Sequence, residues 1–119
     1  MGNALLIREN GQFETVAIAD GAEVNLAVMY KEIGCRTVEV VALRDDLDMW
    51  LDGEGLDGKE VNPVATELAR DCGFIWQNYH GAALLCGHDA EGNSIGLTSD
   101  QEAVLRLRLG MLRAPLSVN

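Results

Sequence analysis

The apolar positions of this chain fall into short blocks that switch between period two and a helical period. Asn3 to Glu9 opens with Ala4-Leu5-Leu6-Ile7 and predicts a strand. Asn10-Gly11 follows, a pair favoured where turn residues need positive φ, and Phe13 to Ile18 predicts the returning strand. Asp20-Gly-Ala-Glu23 has the form of a capping box. The helix it starts would place Leu26, Met29, Tyr30 and Ile33 on one face and end at Gly34. From Arg36 to Leu43 β-branched residues dominate, with Val38, Val40 and Ala42 on one side and Val41 and Leu43 on the other. Apolar residues on both sides predict a central strand covered on both faces. Leu47, Met49 and Leu51 alternate with Asp48, Trp50 and Asp52, which predicts a strand with one buried and one mostly wet face.

The second half continues the alternation. Asn62-Pro63 starts a helix, Asn as N-cap and Pro in the first turn, with Val64, Ala65, Leu68 and Cys72 inward and Gly73 at its end. Ala82 to Gly87 is a short apolar strand, turned by Asp89-Ala-Glu-Gly92 into Asn93 to Leu97. Thr98-Ser-Asp-Gln101 offers a second capping box for a last helix carrying Val104, Leu105, Leu107, Met111 and Leu112. Arg106, Arg108 and Arg113 lie towards its C-terminal end, where the helix dipole favours cations, and residues 114–119 read as a frayed tail. The order is β-β-α-β-β-α-β-β-α. Short links between successive strands predict an α+β fold, a mostly antiparallel sheet of about six short strands with three helices. Residues 1–119 are expected to form a single domain, the size at which one core suffices without disulfide or metal staples.

Charge changes this picture more than composition does. The formal net charge is −10. Binding a phosphate backbone draws on clustered Lys and Arg, so direct nucleic-acid binding is set aside. A surplus of carboxylates serves solubility, or it serves a partner with a basic surface. No apolar run reaches membrane-span length, and the opening residues lack the basic stretch of a secretory signal, so the expected location is the cytoplasm. Cys35, Cys72 and Cys86 are an odd count at wide spacing, without a C-x-x-C pair, and read as reduced core residues.

The densest candidate chemistry lies between Asp45 and Thr66. Asp52, Glu54 and Asp57 invite a calcium site, but Leu56 and Asp57 fall out of register for a cation loop, so no metal and no cofactor are expected. Acid–base catalysis needs one carboxyl buried with a raised pKa, and nothing in the pattern buries Asp48, Asp52 or Glu54. No phosphate-loop, nucleophile-elbow or zinc-protease motif occurs, so no catalytic residue is assigned. The expected partner-binding set is Asp48, Trp50, Asp52 and Glu54, an aromatic between acids. The alternative is a small-ligand or nucleotide site at the helix start, using Asn62 and Thr66, one helical turn apart.

Ile33-Gly34-Cys35-Arg36-Thr37-Val38-Glu39, Asp52-Gly53-Glu54-Gly55, Asn62-Pro63-Val64-Ala65-Thr66, and the run from Gly81 through Asp89–Gly92 to Leu97-Thr98 occur in that order. Together they resemble the family called Domain of Unknown Function 3846, from the first helix to Thr98. Two positions depart from its pattern. Cys35 stands where the family has a second glycine, and Asp52 where it has an asparagine. The resemblance implies a phage or mobile-element setting and no mechanism. The functional expectation is therefore an accessory protein without enzymatic activity, binding a basic host protein in the host cytoplasm. The last helix carries apolar residues around much of its circumference, which predicts a homodimer through it, with Arg106 and Arg108 meeting acids of the neighbour.

Overall fold

A computed structural model describes residues 2–19, 22–55 and 58–113. Its elements are β1 (Gly2–Ile7), β2 (Phe13–Ile18), α1 (Ala22–Ile33), β3 (Val38–Arg44), β4 (Leu47–Asp52), α2 (Pro63–Asp71), β5 (Ala83–His88), β6 (Ser94–Ile95) and α3 (Ser99–Arg113). The order and the α+β class are those expected from the sequence. The six strands form one sheet, and every pairing is antiparallel. Asp20 and Gly21 of the expected capping box, Asp57 and the 114–119 tail lie outside the described residues. Among the described residues no helix is long and apolar enough to cross a membrane.

Local signals fix the punctuation. The Arg8 carbonyl accepts from Gly11 N–H, and Gly11 sits at φ 89°, so this glycine follows a turn rather than forming the middle of a two-residue one. Gly34 closes α1 at φ 76°, while the Tyr30 carbonyl accepts from both Gly34 and Cys35 N–H. Thr98 and Gln101 make the reciprocal capping box of α3, with N–H to side-chain oxygen distances of 2.8 and 3.0 Å.

The sheet order is β2-β1-β5-β4-β3, with β6 pairing the end of β5 at Gly87 and His88. The chain thus makes two hairpins and then threads β5 between them, Leu85 pairing both Leu5 and Met49. Ala83 to Cys86 are completely buried, as are Ala4 to Ile7. Helices cover both faces. On one side α1 packs Met29 and Ile33 over Leu6, Ile18, Leu84 and Cys86. On the other, α2 and α3 pack Val64, Leu68, Leu105 and Leu109 over Leu5, Ile7, Met49 and Leu85. Each such leucine or isoleucine contributes about 1.5–3 kcal/mol by burial.

This order corrects one expectation. The β-branched run read as a central strand is β3, and β3 is an edge; the doubly covered position belongs to β5. On β3, Val40 is 47% exposed and Glu39 and Ala42 are exposed, because α1 stops short of the edge on one face and α2 on the other. Tyr30, expected inside, is 39% exposed. At the opposite end of the sheet two glycines let backbones touch. A Cβ on Gly96 would stand 2.6 Å from Gly2 Cα, and Leu97 N–H donates to the Asn3 carbonyl at 2.8 Å there.

Candidate functional site

Strand β4 lies second from the edge, so its polar face is roofed by α1 rather than wetted. Asp48 is only 7% exposed, and its Oδ2 lies 3.0 Å from Nδ1 of His88. A carboxylate oxygen only accepts, so His88 is the donor. Trp50 is half-buried against the α1-side cluster, and its buried indole N–H finds no hydrogen-bond acceptor among the described residues. Asp52 keeps 9% of its side chain exposed. Its Oδ1 accepts the Glu54 N–H at 2.8 Å and its Oδ2 pairs with Lys59 Nζ at 3.1 Å. Burial alone would raise the Asp52 carboxyl, but the Glu54 N–H and the Lys59 ammonium outweigh it and hold the carboxyl below its ordinary value. Glu54 is exposed, 3.7 Å from Arg36. The expectation that nothing buries Asp48 or Asp52 is therefore corrected. Of the four residues expected to face a partner, only Glu54 is fully open.

Lys59, which the sequence pattern did not single out, is the organiser here. Besides pairing with Asp52 it donates to the Ile33 and Gly34 carbonyls at 3.0 and 2.8 Å. It thereby satisfies carbonyls left open at the C-terminus of α1 and ties the acidic loop to it. Its signal was faint: one lysine between an acidic loop and an Asn-Pro helix start.

Asn62 and Thr66 form a buried knot. Asn62 is fully buried; its Oδ1 caps α2 by accepting from Ala65 N–H, and its Nδ2 donates to the Ile7 and Gly81 carbonyls. Thr66, the other half of the alternative ligand site, also turns inward. Its hydroxyl accepts from Tyr79 N–H at 2.9 Å, and the residue is 3% exposed. The amide thus spends both donors and its oxygen inside the fold. Neither residue offers an accessible polar group to a ligand.

Cys86 sits directly across from Asp48, two residues before His88, a set that resembles a nucleophile with its base and orienting acid. The thiol is completely buried, and burial, with the Asp48 charge adding to it, pushes its pKa up to about 11. Catalysis by cysteine needs a thiolate near neutral pH, and burial opposes its formation here. Cys35 is shifted the same way by burial. Among the described residues no group of three His, Cys, Asp or Glu side chains is arranged to hold a metal ion.

The open surface lies elsewhere. Asp45 and Asp46 in the β3–β4 turn, Glu91 in the β5–β6 turn and Asp100 at the start of α3 are exposed. Gln101 Nε2 donates to the Asp46 carbonyl at 3.0 Å, and a Cβ on Gly87 would lie 3.4 Å from that oxygen, which brings the three segments to one end of the sheet. A groove of about 300 Å³ opens there, floored by Leu47, Val104 and Leu105 and flanked by Asp46 and Asp100, with Arg44 also reaching it. Along α3, Leu105 and Leu109 are buried, whereas Val104, Leu107 and Met111 are 67, 69 and 61% exposed. Arg106 pairs with Glu102 and Arg108 grips Asp71 with two bonds of 2.7 and 3.0 Å. Both arginines expected to meet a neighbour are thus engaged within the chain.

The family model described as "Domain of unknown function (DUF3846)" matches residues 1–109. No curated protein and no solved structure matches the chain. The match takes in β1 and β2 and most of α3, beyond the stretch on which the sequence motifs lie. The chain belongs to the DUF3846 family.

Proposed function

We propose that this DUF3846 protein is an accessory protein of a phage or mobile element that performs no chemistry of its own and acts by binding a host protein with a basic surface, in the host cytoplasm. The observation that carries the reading is how the carboxylates are sorted. Those on β4 are occupied inside the fold, by His88 and Lys59. Asp45, Asp46, Glu91 and Asp100 stand exposed at one end of the sheet and make no ion pair among the described residues. Four carboxylates beside Arg44 leave that end negative, which steers a partner of opposite charge. The small-ligand alternative at Asn62 and Thr66 has no observation in its favour. We also propose a two-fold dimer through the outer stripe of α3, Val104, Leu107 and Met111.

The test is capture of host proteins on the immobilised chain, compared with a variant carrying Asp45→Lys, Asp46→Lys and Asp100→Lys. These side chains are exposed, so the variant folds. Specific partners are expected to be lost from the variant and to weaken with added salt. Retention of every specific partner by the variant would sink the reading.

A further inference from the structure

Among the described residues strand β3 has one neighbour, β4, and its other edge faces an irregular segment, residues 74–78. Between them lies a groove of about 450 Å³, lined by Glu39, Val40, Ala42, Phe74 and Trp76 among others. The phase of the ladder says which backbone groups the groove sees. Gly53 N–H donates to the Thr37 carbonyl, in register with the Val38–Asp52 pair that follows. Hydrogen-bonded pairs alternate along an antiparallel ladder, so Glu39 and Val41 point their N–H and C=O groups at β4, and Val38, Val40 and Ala42 point theirs at the open edge. Among the described residues, no backbone group of residues 74–78 bonds to them.

Natural edges are blunted by lysine, proline or a covering loop. Here β3 is seven residues long with neither lysine nor proline, its register shift is confined to the Ala42–Arg44 end, and Ile75 and Trp76 are 67 and 70% exposed beside it. The Trp76 ring is held against Phe74, with centroids 5.7 Å apart at 53°, so the large exposed aromatic is also pre-positioned.

We propose that this edge is a docking site for an extended segment of a partner protein, which pairs with β3 as an added strand, lays an apolar side chain against Phe74 and Trp76, and carries Lys or Arg towards Glu39. The backbone row selects an extended conformation. Charge selects the side chains: Glu39 is exposed on the groove wall and Asp45 follows the strand's end, while Arg44 and Asp46 both line the separate groove floored by Leu47 and Leu105. A second copy of the chain would set the same acidic edge against itself, so charge favours a foreign basic strand. The inference rests on the partner-binding reading and adds where, and in what conformation, the partner binds.

The probe is the blocked peptide Lys-Val-Thr-Val-Thr-Val-Lys, titrated to millimolar concentration against the full chain. Amide exchange is expected to slow about tenfold at Val38, Val40 and Ala42 and to stay unchanged at Glu39 and Val41. Trp emission is expected to shift to the blue, and Trp76→Ala to abolish the shift. Val40→Pro removes one outward N–H and leaves the β4 ladder intact, so a folded V40P chain is expected to lose the peptide. Should V40P fail to fold, Glu39→Lys serves instead: it is expected to reject the lysine peptide and accept its glutamate-ended counterpart. No slowing at those three amides, or binding that survives these substitutions, overturns the proposal. Slowing that tracks the concentration of the chain alone assigns the edge to a second copy and also overturns it. A host partner lost on reversal of Asp45, Asp46 and Asp100 but kept by V40P and W76A would leave the partner-binding reading standing and remove this site.

Discussion

Strands β3 and β4 are consecutive and nearly equal in length, yet they meet fates opposite to those their patterns predict. On β4 the acidic face is inside: Asp48 and Asp52 find His88 and Lys59, and α1 covers Trp50. On β3 an apolar face is outside: Val40 is left 47% exposed beside a free row of backbone groups. The cause is position in the sheet. β5 enters from far along the chain and pairs β4, making β4 interior and leaving β3 at the rim. Alternation reports that a strand has two different faces, but not which of them another element will cover. Polar residues on a roofed strand acquire partners because leaving them without hydrogen bonds is costly, and apolar residues on a rim are tolerated because nearby function or simple lack of cover leaves them there.

The sharpest way to break this division between inside and outside lies on α3, where Leu107 and Leu109 are two residues apart on opposite sides. Leu109 is completely buried between α2 and the sheet. Leu109→Glu would place a carboxylate in that core, and a loss of about 4 kcal/mol or more is expected, enough to leave a domain of this size unfolded. Far-UV circular dichroism of the purified variant checks it. A native-like, cooperative melt would mean that this side of the helix is not core.

Next in size is the Asn62 knot. Asn62→Ala removes the cap of α2 and leaves the buried Ile7 and Gly81 carbonyls without their donor, and a loss of roughly 3 kcal/mol is expected from the cap and the orphaned groups together. The urea midpoint measures it. A change no larger than that of an exposed surface substitution would mean the residue is free for a ligand after all.

These two cases also mark what could be read in advance. Strands, helices and their ends were legible, since each depends on neighbours in sequence: Gly34 and Gly73 at positive φ, Asn62 as N-cap, and Thr98 with Gln101. The acidic stretch was legible as a landmark and misjudged as a surface. Its burial depends on contacts between residues far apart, Asp48 with His88 and Lys59 with Gly34, and no local period encodes them. The 74–78 segment gave no signal beyond an irregular exit from a helix, though it carries the most exposed tryptophan.

The loop junction at Asp52 gives a smaller and pH-dependent effect. Its carboxyl titrates below the ordinary range in the folded chain, so its stabilising contribution is present above the unfolded value near pH 4 and is lost as pH falls through the lower folded value. Asp52→Asn is expected to cost roughly 1 kcal/mol near neutral pH, the scale of a partly screened ion pair with its hydrogen bond. Urea midpoints of the two proteins should converge as the pH falls below about 4. A gap that stays constant down to acid would mean that the Lys59 pair contributes nothing and that Asp52 is as open as its position in the sequence suggested.

The smallest effect on stability is expected on the outer side of α3, and it carries the test of the dimer. Leu107 is 69% exposed, between Val104 and Met111 on the same stripe, and the exposed Ala103 and Gly110 beside them would let a second helix approach closely. A two-fold axis across this stripe would bring Leu107 near its own copy and Val104 near Met111 of the neighbour, so one face of the helix would complement itself. Glutamate at 107 meets only water in the single chain, and stability there is expected to change by no more than about 0.5 kcal/mol. In the dimer the same substitution places two carboxylates against each other in an apolar contact. Sedimentation at micromolar concentration should therefore show a dimer for the natural chain and a monomer for Leu107→Glu, with melting curves of dilute samples nearly superimposed. A monomer mass for the natural chain removes the dimer; a dimer that survives Leu107→Glu moves its interface off α3.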